Sequence, residues 1–235
     1  LNFQREARRM YPLGPLASHA LGFTDIDNKG LSGIERYFDK ELRTRQKNLT
    51  LSIDVRVQHV LERELGLAVK KFSAIGAAGL VMDVNTGEIV AMSSLPGFDP
   101  NQAGNIDQDV RFNRATLGVY EMGSTFKIFT TAMALDAGTV TLRGGYDATD
   151  PIRIAQHVIN DYHAKKRWLS VPEIFMYSSN IGAVKMALHV GIAGHKRFLG
   201  RLGMMKPVQV ELSETGTPLS PNRWREINSM TISFC

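Results

Sequence analysis

Apolar residues recur at helical spacing after Asp54 and form shorter runs elsewhere in the first half of the chain. The helical spacing predicts an amphipathic helix whose first turn is capped by Asp54. Residues 49–53 alternate between apolar and polar and predict a short strand before that helix. The apolar runs 77–83 and 88–92 flank the turn 84–87, which predicts a β-hairpin.

The rest of the chain predicts mainly short helices. One opens at Gly123-Ser124 and ends at Gly138, and another follows Ser170 with Pro172 in its first turn. A hairpin among helices, without alternating βαβ units, predicts an α/β (α+β) layered fold. Further elements are predicted at 17–23 (helix or strand), 33–38 (helix), 152–154 (strand), 181–190 and 195–202 (helices), from Arg223 (helix) and at 231–235 (strand).

The composition is that of a globular protein, since 43% of the 235 residues are hydrophobic and 22% are charged. The formal charge of +5 is spread along the chain without interleaved aromatic and basic residues. This pattern argues against nucleic-acid binding, although a basic chain suits a neighbouring anionic polymer or membrane. The single cysteine, Cys235, excludes an internal disulfide.

Residues 1–48 differ from the rest because they are rich in basic residues and turn signals and end in a polar linker over 43–48. This segment is too short for a core of its own, so we expect it to belong to a neighbouring module. The chain contains neither a signal peptide nor a run of ~18 apolar residues that could span a membrane. Because it starts at Leu1 and stops on a predicted strand, we expect an internal fragment of a longer protein.

Ser124 and Lys127 are the first candidates for chemistry. They stand three residues apart at the predicted helix start, so their side chains share one face of its first turn. A hydroxyl beside an amine pairs a nucleophile with a base. Burial and the positive potential of a helix N-terminus both disfavour the ammonium form, which would let Lys127 accept the serine proton. The alternative is an N-capping serine followed by a surface lysine.

The second candidate is the tripeptide Ser178-Ser179-Asn180, which lies between two helical runs, 54 residues after Ser124. A serine and an asparagine two apart can face the same side, where they would relay a proton and bind a substrate amide. The alternative is a helix cap. Ser220-Pro221-Asn222 repeats the pattern, but its proline fixes the backbone and we expect Asn222 to cap the next helix.

Other polar residues give weaker signals. The histidine pairs 157/163 and 189/195 are six residues apart, which is not a zinc-ligand spacing. Asp161 and Glu173 are candidate bases, but nothing in the sequence pairs them. No metal or other cofactor is expected.

Five strings together resemble one family. The order and spacing of residues 9–19, 30–35, 123–127, 177–180 and 231–234 are similar to those of class B penicillin-binding proteins. The similarity extends over essentially the whole chain and is greatest to the division-specific peptidoglycan D,D-transpeptidases of the FtsI type.

The resemblance implies a penicilloyl-serine transferase fold, in which helices surround an antiparallel sheet. Residues 1–48 would be the end of a pedestal domain, and residues 49–235 would be the transpeptidase domain, incomplete at its C-terminus. The implied site is in the extracytoplasmic space, with an inner-membrane anchor outside this chain. The implied partners are peptidoglycan stem peptides, β-lactams as covalent inhibitors and septal cell-division proteins.

The resemblance also implies a role for each site residue. Ser124 attacks the carbonyl between the last two D-alanines of a stem peptide, and Lys127 is the base. Ser178 passes the proton to the leaving amine, and Asn180 holds the amide side of the substrate. The amine of a second stem peptide then takes the acyl group.

The sequence departs from the family at its end. The family's Lys-Thr-Gly strand, here called the third motif, does not occur in these 235 residues, and Cys235 stands where the family usually has glycine. We expect this cysteine to be a sequence-end artefact rather than a functional thiol. Two alternatives to a transpeptidase are a β-lactam sensor that acylates once and an inactive septal scaffold. A third is a serine β-lactamase, which is disfavoured because the sequence has no recognisable loop glutamate to activate the deacylating water.

Overall fold

The computed structural model describes residues 6–44, 48–154 and 156–235, so residues 45–47 of the predicted linker lie outside the described residues. The chain forms two compact units, Leu1–Val119 with Val208–Thr217 and Tyr120–Pro207 with Pro218–Cys235. The predicted domain boundary after residue 48 stays a prediction. Within the described ranges, no helix is long and apolar enough to cross a bilayer.

The first unit contains a long helix and an antiparallel hairpin, both as predicted, and the helix packs against the hairpin. Asp54 caps this helix by accepting a hydrogen bond from the Arg56 N–H at 2.8 Å. Its elements are α1 (Ser18–Leu21), α2 (Gly33–Tyr37), α3 (Asp39–Arg43), α4 (Val55–Phe72), β1 (Ala77–Met82), β2 (Ile89–Leu95), a 3-10 turn (Pro100–Asn105) and α5 (Gln108–Arg111).

Helix α4 and the hairpin fit closely. The buried amide of Gln58 donates to the Met92 carbonyl and accepts from the Met92 N–H, both at 2.9 Å. Gly79 allows the close approach, because a Cβ there would lie 2.9 Å from Leu61 and 3.0 Å from Leu65. The buried amide of Gln58 is therefore satisfied by the backbone of the strand that the helix covers.

The strand predicted at 49–53 is wrong. The segment forms no ladder, and hydrogen bonds from Ser52 Oγ to the Ile89 carbonyl and from the Asp54 N–H to the Val90 carbonyl attach it to the hairpin. Alternation alone does not supply the continuous backbone pairing that a strand requires.

The second unit packs three helices over a small apolar core. Leu169, Ile174 and Met186 are fully buried there with Ala134 and Ile181. Its elements are a 3-10 turn (Gly123–Phe126), α6 (Lys127–Asp136), β3 (Gly145–Asp147), β4 (Ile152–Ile154), β5 (His157–Ile159), β6 (Trp168–Ser170), α7 (Val171–Met176), α8 (Asn180–Arg201) and α9 (Glu226–Ile232).

Helix α7 agrees with its prediction, whereas helix α8 joins two helices that were predicted separately. Ser170 caps α7 in a capping box with Glu173, and Pro172 lies in its first turn, as predicted. The predicted helices 181–190 and 195–202 form one element, α8, with a break at Gly191, whose φ is +80°. The strands pair antiparallel as β1–β2, β3–β6 and β4–β5, so the predicted class of helices with antiparallel sheets is confirmed, as three two-stranded ladders in the described residues.

The strand predicted at 231–235 is wrong, because Thr231 and Ile232 end helix α9. The predicted helix begins at Glu226 rather than at Arg223. Met230 packs in a cluster with Ile159 and Val184, so burial of one helix face overrides the β propensity of the Thr-Ile pair.

Candidate active site

Lys127 joins two serines that are far apart in the sequence. Its Nζ lies 2.8 Å from Ser124 Oγ and 3.0 Å from Ser178 Oγ. Ser124 belongs to the 3-10 turn and Lys127 begins α6, so the predicted spacing of three residues places both side chains together. Lys127 is only 3% exposed, which excludes the surface-lysine alternative.

The backbone at Ser178 is strained. Its φ of +55° lies in the left-handed region, which costs a non-glycine residue roughly 1–2 kcal/mol. This conformation separates the end of α7 from the start of α8 and leaves Ser178 in the turn between them. Strain of this kind persists where the surrounding contacts over-determine it, and it clusters at functional sites.

Burial lowers the pKa of Lys127 from its usual value. The negative charge of Asp161, and a smaller contribution from Cys235, act in the opposite direction without cancelling the effect of burial. The aromatic ring of Phe234 lies 6.0 Å from Nζ. A larger fraction of Lys127 is therefore neutral near pH 7 than in an exposed lysine. The lone pair of the neutral amine can accept the proton of a serine hydroxyl.

Asp161 holds the Ser178 turn in place. Its carboxylate accepts a hydrogen bond from Ser179 Oγ at 2.7 Å and one from the Ile181 N–H at 2.9 Å. Ser179 is buried and also accepts from the Gly182 N–H at 3.0 Å, so it is the N-cap of α8. The helix-cap alternative thus applies to Ser179, which leaves Ser178 Oγ directed at Lys127.

Residues 77–235 match the family described as the penicillin binding protein transpeptidase domain. The chain belongs to this family. The match contains the serine pair, Lys127 and Asp161, so the geometry described above lies inside the penicillin-binding transpeptidase domain.

Two curated relatives and one solved structure illustrate the similarity. The chain is 45% identical over its whole length to the protein named "Probable peptidoglycan D,D-transpeptidase FtsI" of Caulobacter vibrioides and covers 40% of it. It is 33% identical, again over its whole length, to peptidoglycan D,D-transpeptidase FtsI of Escherichia coli and covers 44% of it. Pseudomonas aeruginosa PBP2 in complex with WCK 5153 shares the fold, with a TM-score of 0.78 at 23% identity over 97% of this chain and 61% of that one.

Asn180 is the first residue of α8, directly after the Ser178 turn, but its side chain bonds the backbone of another segment. Its Nδ2 donates to the Asn160 carbonyl at 2.8 Å. The structure therefore brings Lys127 into contact with both Ser124 and Ser178. Asn180 lies two residues after Ser178 and has no described hydrogen bond to these three residues. Its role in substrate binding stays a prediction.

The remaining candidates have structural environments in this domain. Glu173 pairs with Arg167 at 2.7 Å, which lowers its pKa to about 2 and leaves a poor base. His195 is buried and its pKa is lowered to about 4 by that burial. Asn222 does not cap a helix, since α9 begins at Glu226, so that expectation was wrong. Over 6–44, 48–154 and 156–235, no group of three or more potential ligands is arranged to hold a metal ion.

Sequence reasoning missed the role of Asp161. It was a candidate base without a partner, because its partners Ser179 and Ile181 lie 18 and 20 residues further along the chain. No local pattern connects them. Only the fold, which brings the segment after β5 to the start of α8, provides the pairing.

Proposed function

We propose that this chain is part of a peptidoglycan D,D-transpeptidase that cross-links stem peptides at the division septum through an acyl-serine intermediate. The observation that carries the proposal is the position of Lys127 Nζ, 2.8 Å from Ser124 Oγ and 3.0 Å from Ser178 Oγ. One buried amine contacts both a nucleophile and a second hydroxyl that can relay its proton. Membership of the penicillin-binding transpeptidase family supports the same reaction.

In the acylation step, neutral Lys127 removes the Ser124 proton as Oγ bonds to the carbonyl carbon of the penultimate D-alanine. The tetrahedral intermediate collapses when the C–N bond to the terminal D-alanine breaks. The proton on Lys127 passes through Ser178 Oγ to the leaving amine. The products are free D-alanine and an acyl ester on Ser124, with Lys127 neutral again.

In the second step, the amine of another stem peptide attacks this ester. Its proton returns through Ser178 and Lys127 to Ser124 Oγ, so the catalyst is regenerated and an amide cross-link forms. Asn180 holds the amide side of the donor. The reaction is an acyl transfer between peptides and requires no cofactor.

The same nucleophile would explain inhibition by β-lactams, whose strained amide acylates Ser124 and forms an acyl-enzyme that does not react further. We place the domain on the extracytoplasmic side of the inner membrane, tethered by a segment outside this chain. Residues 1–48 are the end of a pedestal domain, and septal division proteins are the partners.

The test of this function is turnover. A full-length protein that contains this chain is incubated with a synthetic donor ending in D-alanyl-D-alanine and an acceptor peptide. We expect continuous release of D-alanine with formation of a cross-linked product. A single equivalent of acylation without turnover would instead identify a β-lactam sensor, hydrolysis of penicillin would identify a β-lactamase, and no acylation would identify a scaffold.

We expect Asp161→Asn to slow acylation by a fluorescent penicillin about tenfold near pH 7, since a neutral amide cannot accept both hydrogen bonds that hold the Ser178 turn. It also removes the negative charge that raises the pKa of Lys127, so that pKa falls further. The acidic limb of the pH–rate profile should therefore move to lower pH.

The matched control for this variant is Glu173→Gln, which removes a helix-capping carboxylate without a described contact to the Ser178 turn. We expect a stability loss in both variants and a displaced pH profile only in Asp161→Asn. An unmoved profile with a normal acylation rate would contradict the assigned role of Asp161.

We expect the 235-residue chain to acylate ~10²–10³-fold more slowly than a version continued through the third motif, because that strand supplies one oxyanion donor in the family. The measurement compares penicillin acylation rates at equal concentrations of folded protein. Rates that agree within about tenfold, below the cost of one donor, would show that the described site is sufficient without the third motif.

A further inference from the structure

The loop that leads to the Ser178 turn is strongly basic. We name residues 162–167, which connect Asp161 to β6, the basic loop; it contains His163, Lys165, Lys166 and Arg167. All four of these side chains belong to exposed residues. The basic loop is therefore a local concentration of exposed positive charge in the segment between Asp161 and β6.

The basic loop is fixed beside the candidate active site at both ends. Asp161, at its start, is hydrogen-bonded to Ser179 at 2.7 Å. Lys165 Nζ lies 4.6 Å from the centre of the Tyr177 ring, and Tyr177 immediately precedes Ser178. These contacts attach the loop to the residues on either side of Ser178, the hydroxyl that is proposed to relay the proton.

The two lysines of the basic loop have no carboxylate partner in the part of the chain that the structure describes. Arg167 pairs with Glu173 at 2.7 Å, and the carboxylate of Asp161 is occupied by Ser179 and Ile181. Among the described residues, Lys165 and Lys166 form no ion pair with a carboxylate. The loop therefore presents two cations beside the site, which favours an anionic group on a molecule bound there.

The conformation of the basic loop is also specific. Lys166 has a φ of +51°, a left-handed conformation that costs a non-glycine residue free energy. Lys165 is held by the face of an aromatic ring, which attracts a cation while leaving part of its ammonium group available to a ligand. A positioned cation loses less conformational entropy on binding an anion than a freely rotating one.

We propose that the basic loop binds a free side-chain carboxylate of the donor peptide, so that the enzyme prefers donors with this carboxylate over donors in which it is amidated. This inference rests on the proposed transpeptidase function and deepens it by naming a chemical feature of the substrate. Lys165 and Lys166 are substrate-binding residues in this proposal, and they take no part in proton transfer.

The test uses a full-length protein that contains this chain and two synthetic donors. Both end in D-alanyl-D-alanine, and they differ only in a free carboxylate or a carboxamide on the side chain of the preceding residue. We expect kcat/KM for D-alanine release to favour the acid donor by about threefold to tenfold at low salt, the range for two exposed ion pairs. The preference should shrink as salt is added.

The variant Lys165→Gln/Lys166→Gln should lose this preference, so that the ratio of kcat/KM for the acid donor to kcat/KM for the amide donor falls to about one. Lys165→Glu/Lys166→Glu should reverse it. Lys206→Gln, an exposed lysine of the same unit outside the loop, is the matched control and should keep the wild-type preference. Acylation by penicillin reports whether each variant is folded, and Lys166→Gln alone leaves the Lys165–Tyr177 contact intact if the double variant misfolds.

Equal rates for the two donors in the wild type would overturn the proposal, as would a preference that survives the double substitution. The failure of the proposed function has a different signature, because then neither donor would release D-alanine. Failure of the transpeptidase function would also overturn the proposed role of the basic loop.

Discussion

Ser124→Ala is expected to abolish covalent labelling by a fluorescent penicillin. The acyl group needs an atom to carry it, and Ser124 Oγ is the hydroxyl that Lys127 contacts at 2.8 Å at the start of α6. Alanine removes this atom and leaves the 3-10 turn intact, because Ser124 is not a helix cap. The measurement is fluorescence of the separated protein after incubation with an excess of labelled penicillin, with circular dichroism to show that the variant is folded.

Ser178→Ala is the informative comparison. This substitution removes the other hydroxyl that contacts Lys127, at 3.0 Å, but keeps the atom that is proposed to carry the acyl group. We expect labelling to persist at a reduced rate. A proton relay contributes ~10²–10⁴-fold to the rate of acylation, whereas the ester bond itself forms on Ser124. Labelling that survives Ser124→Ala and disappears with Ser178→Ala would exchange the two roles.

The local half of this site is predictable from the sequence for a physical reason. Residues three apart at a helix start meet on one face whatever surrounds them, so the sequence alone predicts the pairing of Ser124 with Lys127. Ser178 lies 51 residues after Lys127, and no period in the sequence connects them. The resemblance to a known family implied a proton-transfer role for Ser178 but did not supply this contact. Asp161 was a candidate base outside the quoted motifs, so its contacts with Ser179 and Ile181 were missed.

The two wrong strand predictions share one cause. Residues 49–53 and 231–235 both have the composition of a strand, yet neither has a partner strand in the described residues. A helix satisfies its backbone within the segment, whereas a strand depends on a neighbour that the local sequence does not specify. Met230 adds a buried face to the C-terminal segment, which favours the helix. The hairpin at residues 77–95 was predicted correctly because its two strands and its turn are contiguous in the sequence.

Lys127→Arg is expected to reduce acylation by ~10²–10⁴-fold although it preserves a positive charge, because a guanidinium does not deprotonate in proteins and cannot act as a base. The structure sharpens this expectation, since burial lowers the pKa of Lys127. In the wild type, the reactive neutral form increases as the pH rises through this lowered pKa. The acylation rate should therefore climb on the acidic side of the profile and reach its plateau below the pH at which an ordinary lysine titrates.

The arginine variant has no such limb, so its residual rate should be nearly independent of pH. The measurement is the second-order rate constant for acylation by penicillin from about pH 5 to pH 10, a range that spans the lowered pKa and the usual lysine value. Lys127→Met is the matched control, because it fills a similar volume and removes both charge and base. If Lys127 acts as a base, the arginine and methionine variants are equally slow. A near-normal rate in the arginine variant together with a slow methionine variant would show that Lys127 acts through its positive charge alone, and the proposed proton path through Ser178 would then be wrong.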